Sequence, residues 1–340
     1  TVFAALGRAR RNPRAKHRAF HPSFEGSSAF GKPNRLGRSA LVCGLSRWAK
    51  GCRRRSLTAV GIGPFGVKRC GIGLSATKGG SGMIASLGMY DRAEVQPSND
   101  RLWSLIRDGL CAAGLAAPDQ LTRGPAAYWP AWQAQDLVLS QTCGFPYRAK
   151  LHGKVALIGT PDFGVQGCAP GYYRSVFVAA KSDPRRDVMQ FNGASLAFNE
   201  DLSQSGWAAP QNFARAHGLT LRPTLRTGGH LLSARAVAEG RAEIAALDAI
   251  TWEMIQRHEA FATRLQEVGV TDPTPGLPYI SALGADDALM FKVITAAIAA
   301  LPVPDKTALC LRGLVRIEPE VYLAVPTPPT PFDLGMKDES

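Results

Sequence analysis

The chain has 340 residues, with 40 Lys and Arg, 27 Asp and Glu, a formal net charge of +13 and 45% hydrophobic side chains. That composition excludes a collagen-like repeat, a wholly disordered chain and a small disulfide knot, and the length suffices for two ordinary domains. The charge is concentrated: residues 1–82 hold 17 basic side chains and one acid, Glu25, whereas the remaining 258 residues hold 23 basic and 26 acidic ones.

Residues 1–82 also carry 14 of the 35 glycines, and their apolar pieces are short and broken, so neither a helical nor a strand period persists. They read as a basic Gly/Arg-rich extension that is disordered or not native to the protein. The chain opens on Thr, and its composition shifts abruptly before Met83, as a start site placed too far upstream would produce. A tail that neutralises nucleic-acid phosphates and an unusual targeting segment are the alternatives. An export signal needs a basic start, an apolar run and a small-residue cleavage site in that order, and that order is not recognisable here.

Regular patterning begins at Ile84. Residues 84–87 form a strand candidate, and Asn99 or Asp100 can cap a helix over 101–113 with Leu102, Leu105, Ile106 and Leu110 on one face. Strands are expected at 137–139, 154–159, 173–180, 195–198, 244–247 and 277–280. Between them, helices are expected after Ser203 as far as His217, over 231–239, from Ile250, and after Asp286 and Asp287. Residues 326–331 read as an extended Pro-rich terminus. This α/β alternation favours sheets flanked by helices.

Several polar clusters fall just after predicted strands, where open α/β sheets place ligand loops. Ser203-Gln204-Ser205-Gly206 offers two hydroxyls and free N–H groups at a helix start, which suits an anion, although Ser also caps helices routinely. Thr227-Gly228-Gly229-His230 brings backbone donors and one imidazole to the start of another helix; a surface His beside a turn is the bland reading. Asp248 follows a strand and could accept a hydrogen bond from a proton-bearing oxygen of an oxyanion, bind an ammonium, or simply cap the helix beginning near Ile250. Tyr90 and Tyr147 could add hydroxyls, and Arg148 could contribute bidentate charge, although an exposed loop arginine is commonplace. Cys143 and Cys168 flank Gly-containing loops and read as a disulfide closing a loop of about 25 residues, worth roughly 3 kcal/mol by chain entropy. Free buried thiols, or a catalytic Cys143, are the alternatives. No GxSxG, HExxH, Walker A or dinucleotide motif is present, and no cofactor or metal site is expected.

Met89-Tyr90-Asp91, Ser140–Gly144 with Pro146-Tyr147-Arg148, Gly171–Ser175, Asn199-Glu200 followed by Ser203–Gly206, and Thr227–His230 with Asp248 together resemble the phosphate/phosphonate substrate-binding proteins of ABC importers. The resemblance covers about residues 83–340 and implies a two-lobed α/β type II periplasmic-binding-protein-like fold. Its lobes would be residues 83–179 plus 270–340, and 180–269. It implies a non-enzymatic, monomeric receptor without a transmembrane segment, in which Ser203, Ser205, Gly206, His230 and Asp248 of the second lobe and Tyr90 and Tyr147 of the first hold a small oxyanion. ABC membrane subunits would be its partners, nucleic acid would not, and the periplasm its location, with a cytoplasmic relative as the alternative. A different small metabolite, a sensory role, or a cleft enzyme using Cys143 are the competing functions.

Overall fold

The computed structural model describes residues 82–337. The expectations for the basic extension fall, apart from Gly82, outside these residues. Two five-stranded sheets organise the described chain. The first, in spatial order, comprises Ile84–Ser86, Leu137–Gln141, Tyr279–Ala282, Val155–Asp162 and Gly313–Val315. The second comprises Leu221–Arg226, Ala194–Phe198, Ile244–Asp248, Ser175–Ala180 and Leu265–Val270. Each sheet mixes parallel pairs with antiparallel ones, as the segment that enters a lobe and the one that leaves it must run in opposite directions. This is the two-lobed α/β arrangement.

The chain crosses from the first sheet to the second at Tyr172–Tyr173 and returns at Thr274–Pro275, and these two segments pair with each other as an antiparallel ribbon. Ser175–Ala180 is paired on both sides within the second sheet. Residues 175–179 therefore go with the second layer, not with the first lobe as the expected boundary at 180 had them.

Sequence period explains the second layer. Along Ser175–Ala180, Phe177 and Ala179 face a cluster containing Phe191, Phe198 and Trp207, while Val176 and Val178 face one containing Ala234, Val237 and Trp252. Both faces are buried, which is why the strand reads as an unbroken apolar run. In the first layer, helix Gln96–Ala112 and helix Asp287–Ala300 lie together over the sheet, sharing a core of Leu102, Ile106, Leu110, Met290, Ile294 and Ile298. They approach so closely that a Cβ on Gly109 would stand 2.7 Å from Val293.

Two helix starts contrast. Asp286 caps as expected, accepting from the Leu289 N–H at 2.9 Å. The earlier helix begins not at Asn99 or Asp100 but at Gln96, with Pro97 in its first turn, where a missing N–H costs nothing. Asn99 instead donates to Asp91 at 2.9 Å, and Asp100 pairs with Arg123. Among the described residues, no helix is long and apolar enough to cross a membrane.

Candidate ligand-binding cleft

The strand ends of the two layers meet around a cleft of about 380 Å³. From the first layer, strand Ile84–Ser86 runs into the short turn Gly88–Tyr90, which brings Tyr90 to the cleft wall with its ring edge-on to Phe163 at 5.0 Å. From the second layer, strand Ile244–Asp248 delivers Asp248, whose Oδ1 caps helix Ala249–His258 by accepting from the Ile250 and Thr251 N–H groups at 2.9 and 3.0 Å. Its Oδ2 accepts from the Tyr90 hydroxyl at 2.8 Å, and this hydrogen bond crosses between the layers. Burial pushes the Asp248 carboxyl up to about 6, while the N–H groups and Tyr90 resist that rise. Burial beside Asp248 likewise holds the Tyr90 phenol well above its usual value, so it stays a donor.

The serine loop enters from the second layer after strand Ala194–Phe198. Ser203 accepts from the Gly206 N–H at 2.9 Å and starts the wide turn Gln204–Ala208, which continues as helix Ala209–Ala216. Ser205 and Ser203 both line the cleft. The Ser205 carbonyl accepts from the Ser175 hydroxyl at 2.8 Å, which fixes the loop to the neighbouring strand. Ser205 Oγ lies 2.9 Å from His230 Nε2. His230 opens helix His230–Ala238, after Gly228 at φ +81° turns the chain. Burial lowers the His230 imidazole to about 4, so near neutral pH it is an uncharged hydrogen-bonding partner.

Tyr90, Ser203, Ser205, His230 and Asp248 are thus brought to one cleft. Gly206 lies behind its wall: its N–H is taken by Ser203, and a Cβ there would meet Asn199 Oδ1 at 1.9 Å. Glycine is needed there for backbone approach, and the expectation that its N–H is open to a ligand is corrected. Tyr147 is not at the cleft. Its ring packs in the first-layer core, 5.2 Å from that of Tyr322, and burial raises its phenol to about 12.

The expected disulfide is also corrected: Cys143 and Cys168 are both unbridged. Cys143 is buried in the cleft wall, where its Sγ accepts from the Gln204 N–H at 3.3 Å and lies 4.0 Å from the Tyr173 hydroxyl. Cys168 sits on the Gly-containing loop after strand Val155–Asp162, in a turn that closes on Val165. Burial raises the Cys143 thiol, which keeps it protonated and counts against a nucleophilic thiolate. Among the described residues, no cluster of three His, Cys, Asp or Glu is disposed to hold a metal ion.

The wall also includes residues outside the expected ligand-holding set. Tyr128 and Trp132 come from the loop-rich section before strand Leu137–Gln141, and Arg92 is already held by Glu94 and Glu259 at 3.0 and 2.8 Å. Glu200, at the end of the second-layer strand that precedes the serine loop, has its carboxyl raised by burial and by Asp201. Only the contiguity of Asn199-Glu200 with the serine loop signals it in sequence.

Residues 135–312 match the family described as ABC transporter, phosphonate, periplasmic substrate-binding protein. The chain belongs to this family. Membership makes it a substrate-binding protein for an ABC importer. Solved structures share the fold at low identity. XAC2383 of Xanthomonas citri, solved bound to chloride ion, has 16% identity and a TM-score of 0.54, over 70% of this chain and 92% of that one. PhnD1 of Prochlorococcus marinus, in complex with methylphosphonate, has 15% identity and a TM-score of 0.54, over 70% and 94%. A binding-protein component of an ABC phosphonate transporter from Pseudomonas aeruginosa has 14% identity and a TM-score of 0.53, over 71% and 83%. No curated protein matches the chain in sequence. The family match ends before the C-terminal Pro-rich stretch of this phosphonate-family member, which lies against the second layer through Trp207 and Asn212.

Proposed function

We propose that this substrate-binding protein captures a small phosphonate, or phosphate itself, in the cleft between its lobes. The observation that carries this reading is the meeting of Ser203, Ser205 and His230 with the Tyr90–Asp248 pair around one cavity. Hydroxyl and imidazole N–H groups replace the hydration of the oxyanion, and a protonated oxygen of the ligand can donate to Asp248. The lining cation Arg92 is already paired with carboxylates, which favours a ligand that arrives with a proton over a full dianion. Movement of the lobes about the paired crossings at 172–173 and 274–275 would exclude water and strengthen those hydrogen bonds. The methylphosphonate complex of the Prochlorococcus marinus protein supports the same ligand class. On this reading the protein works in the periplasm as a monomer and presents its closed form to membrane subunits.

Calorimetric titration with methylphosphonate and phosphate tests this. Ser205→Ala and His230→Ala should each weaken binding by roughly 1–3 kcal/mol, the worth of a hydrogen bond to a charged group. Unchanged affinity in both variants would reject the site; no binding of either oxyanion to the wild type would reject the ligand class.

A further inference from the structure

In sequence Arg148 could be a bidentate contact or a commonplace exposed loop arginine; in the structure it is partly buried, with its Nε shut off from solvent. It stacks over the Phe145 ring at 4.2 Å. It sits in the turn Tyr147–Leu151 of the first layer, and both of its hydrogen bonds leave that turn. Nη1 donates to Gln204 Oε1 at 2.6 Å, and Nη2 donates to the Pro326 carbonyl at 3.2 Å. Gln204 is the residue between Ser203 and Ser205, and its own N–H donates to Cys143 Sγ, again across the layers. Pro326 begins the Pro-rich stretch, whose carbonyls also accept from Asn212 at 2.8 Å and from Trp207 at 3.2 Å. Trp207 and Asn212 belong to the serine turn and the helix that continues it.

These bonds make a closed circuit. The first layer holds Gln204 through Arg148 and Cys143, the tail is held by the same arginine, and the tail in turn holds the far side of the serine turn. The acceptors of Arg148 are neutral amide and carbonyl oxygens, so its charge is not cancelled by a carboxylate in either hydrogen bond. Burial lowers it only to about 10, so it remains charged near neutral pH. A planar guanidinium suits two acceptors at a fixed angle in a way an ammonium does not.

We infer that Arg148 is a positioning residue: by bridging Gln204 and the C-terminal strap at Pro326, it holds the serine loop in its ligand-binding arrangement across the lobe boundary. The ligand part of this statement rests on the proposed oxyanion site, whereas the loop-positioning part does not.

The test uses the full chain and two readouts. In the first, methylphosphonate affinity is measured for wild type, Arg148→Gln, Arg148→Lys, Gln204→Ala and the Arg148→Gln/Gln204→Ala pair. Each single variant should bind at least tenfold more weakly, chiefly through faster dissociation, and the double variant should be no more than threefold worse than the weaker single one. Lysine should not restore affinity, because it cannot span both acceptors. Additive losses, rescue by lysine, or affinities within twofold of wild type would overturn the inference. In the second readout, without ligand, amide hydrogen exchange at 205–208 should quicken at least tenfold in Arg148→Gln while the amides of helix Gln96–Ala112 keep their rates. Unchanged exchange at 205–208 would overturn the positioning role whether or not methylphosphonate binds. Gln204→Ala removes the acceptor while leaving Arg148 in place, and serves both readouts if Arg148→Gln does not fold. Failure of the wild type to bind methylphosphonate or phosphate, with exchange quickened as expected, would instead count against the ligand reading.

Discussion

Asp248 and His230 are buried titratable groups on opposite sides of their ordinary values, and their effects on stability run in opposite directions. Asp248 rises from 3.8 to about 6, so the folded state holds its proton longer. Its contribution is complete below about pH 4 and is lost as pH rises through 6. His230 falls from 6.5 to about 4, so its contribution is complete above 6.5 and is lost as pH falls through 4. Each shift corresponds to about 3 kcal/mol, so in the wild type the two largely offset between pH 4 and 6.5. Urea melts over that range should therefore separate them. Asp248→Asn should gain stability relative to wild type as pH rises from 4 to 6, and His230→Gln should lose it as pH rises from 4 to 6.5. Parallel pH profiles for all three proteins would contradict the burial of both groups. Of the site, Ser203, Ser205, His230 and Asp248 are readable in the sequence because each lies at a strand end or at the cap or first turn of a helical segment. Tyr147 misleads because a tyrosine in a loop after a strand looks the same whether its ring turns to the cleft or to the core; here Tyr322 claims it. The role of Arg148 is hidden in sequence because its two acceptors lie 56 and 178 residues away.

At the scale of elements, local chemistry dictates what local chemistry can. The Asp286 cap and the glycine at residue 240, at φ +75° after helix His230–Ala238, mark their helix ends within a residue or so. Asp286→Ala should cost about 1 kcal/mol of stability, measured by urea melts, without altering ligand affinity. A loss below about 0.3 kcal/mol would mean the cap is dispensable. Strand Leu221–Arg226 is hard to see in sequence because Pro223 argues against a central strand. It lies at the edge of its sheet, paired only with Ala194–Phe198, where a missing N–H is tolerated and Arg222, Thr224 and Arg226 alternate with more buried neighbours. The start of helix Gln96–Ala112 departs from its expected place for a related reason. Asn99 and Asp100 have cap-forming side chains, but tertiary partners, Asp91 and Arg123, use them instead.

For the molecule as a whole, two mixed sheets joined by a paired crossing put their strand ends on either side of one cleft. The α/β class is legible because apolar runs and helix punctuation survive in sequence order, whereas the two-lobed architecture is legible only through the family resemblance carried by the Ser203–Gly206, Thr227–His230 and Asp248 motifs. The absence of a Cys143–Cys168 bridge is not legible, because spacing says nothing about which way two thiols turn. Besides the two paired crossings, several polar contacts join the lobes, among them Tyr90 to Asp248, Gln204 to Cys143, Arg148 to Gln204 and the Arg92–Glu259 ion pair. The most direct measurement is a crystal structure of the protein grown with methylphosphonate. The phosphonate group should be enclosed between the lobes, within hydrogen-bond distance of Ser205 and His230 and with an oxygen facing Asp248. A phosphonate bound elsewhere, or a cleft that stays empty at saturating ligand, would contradict the proposed site.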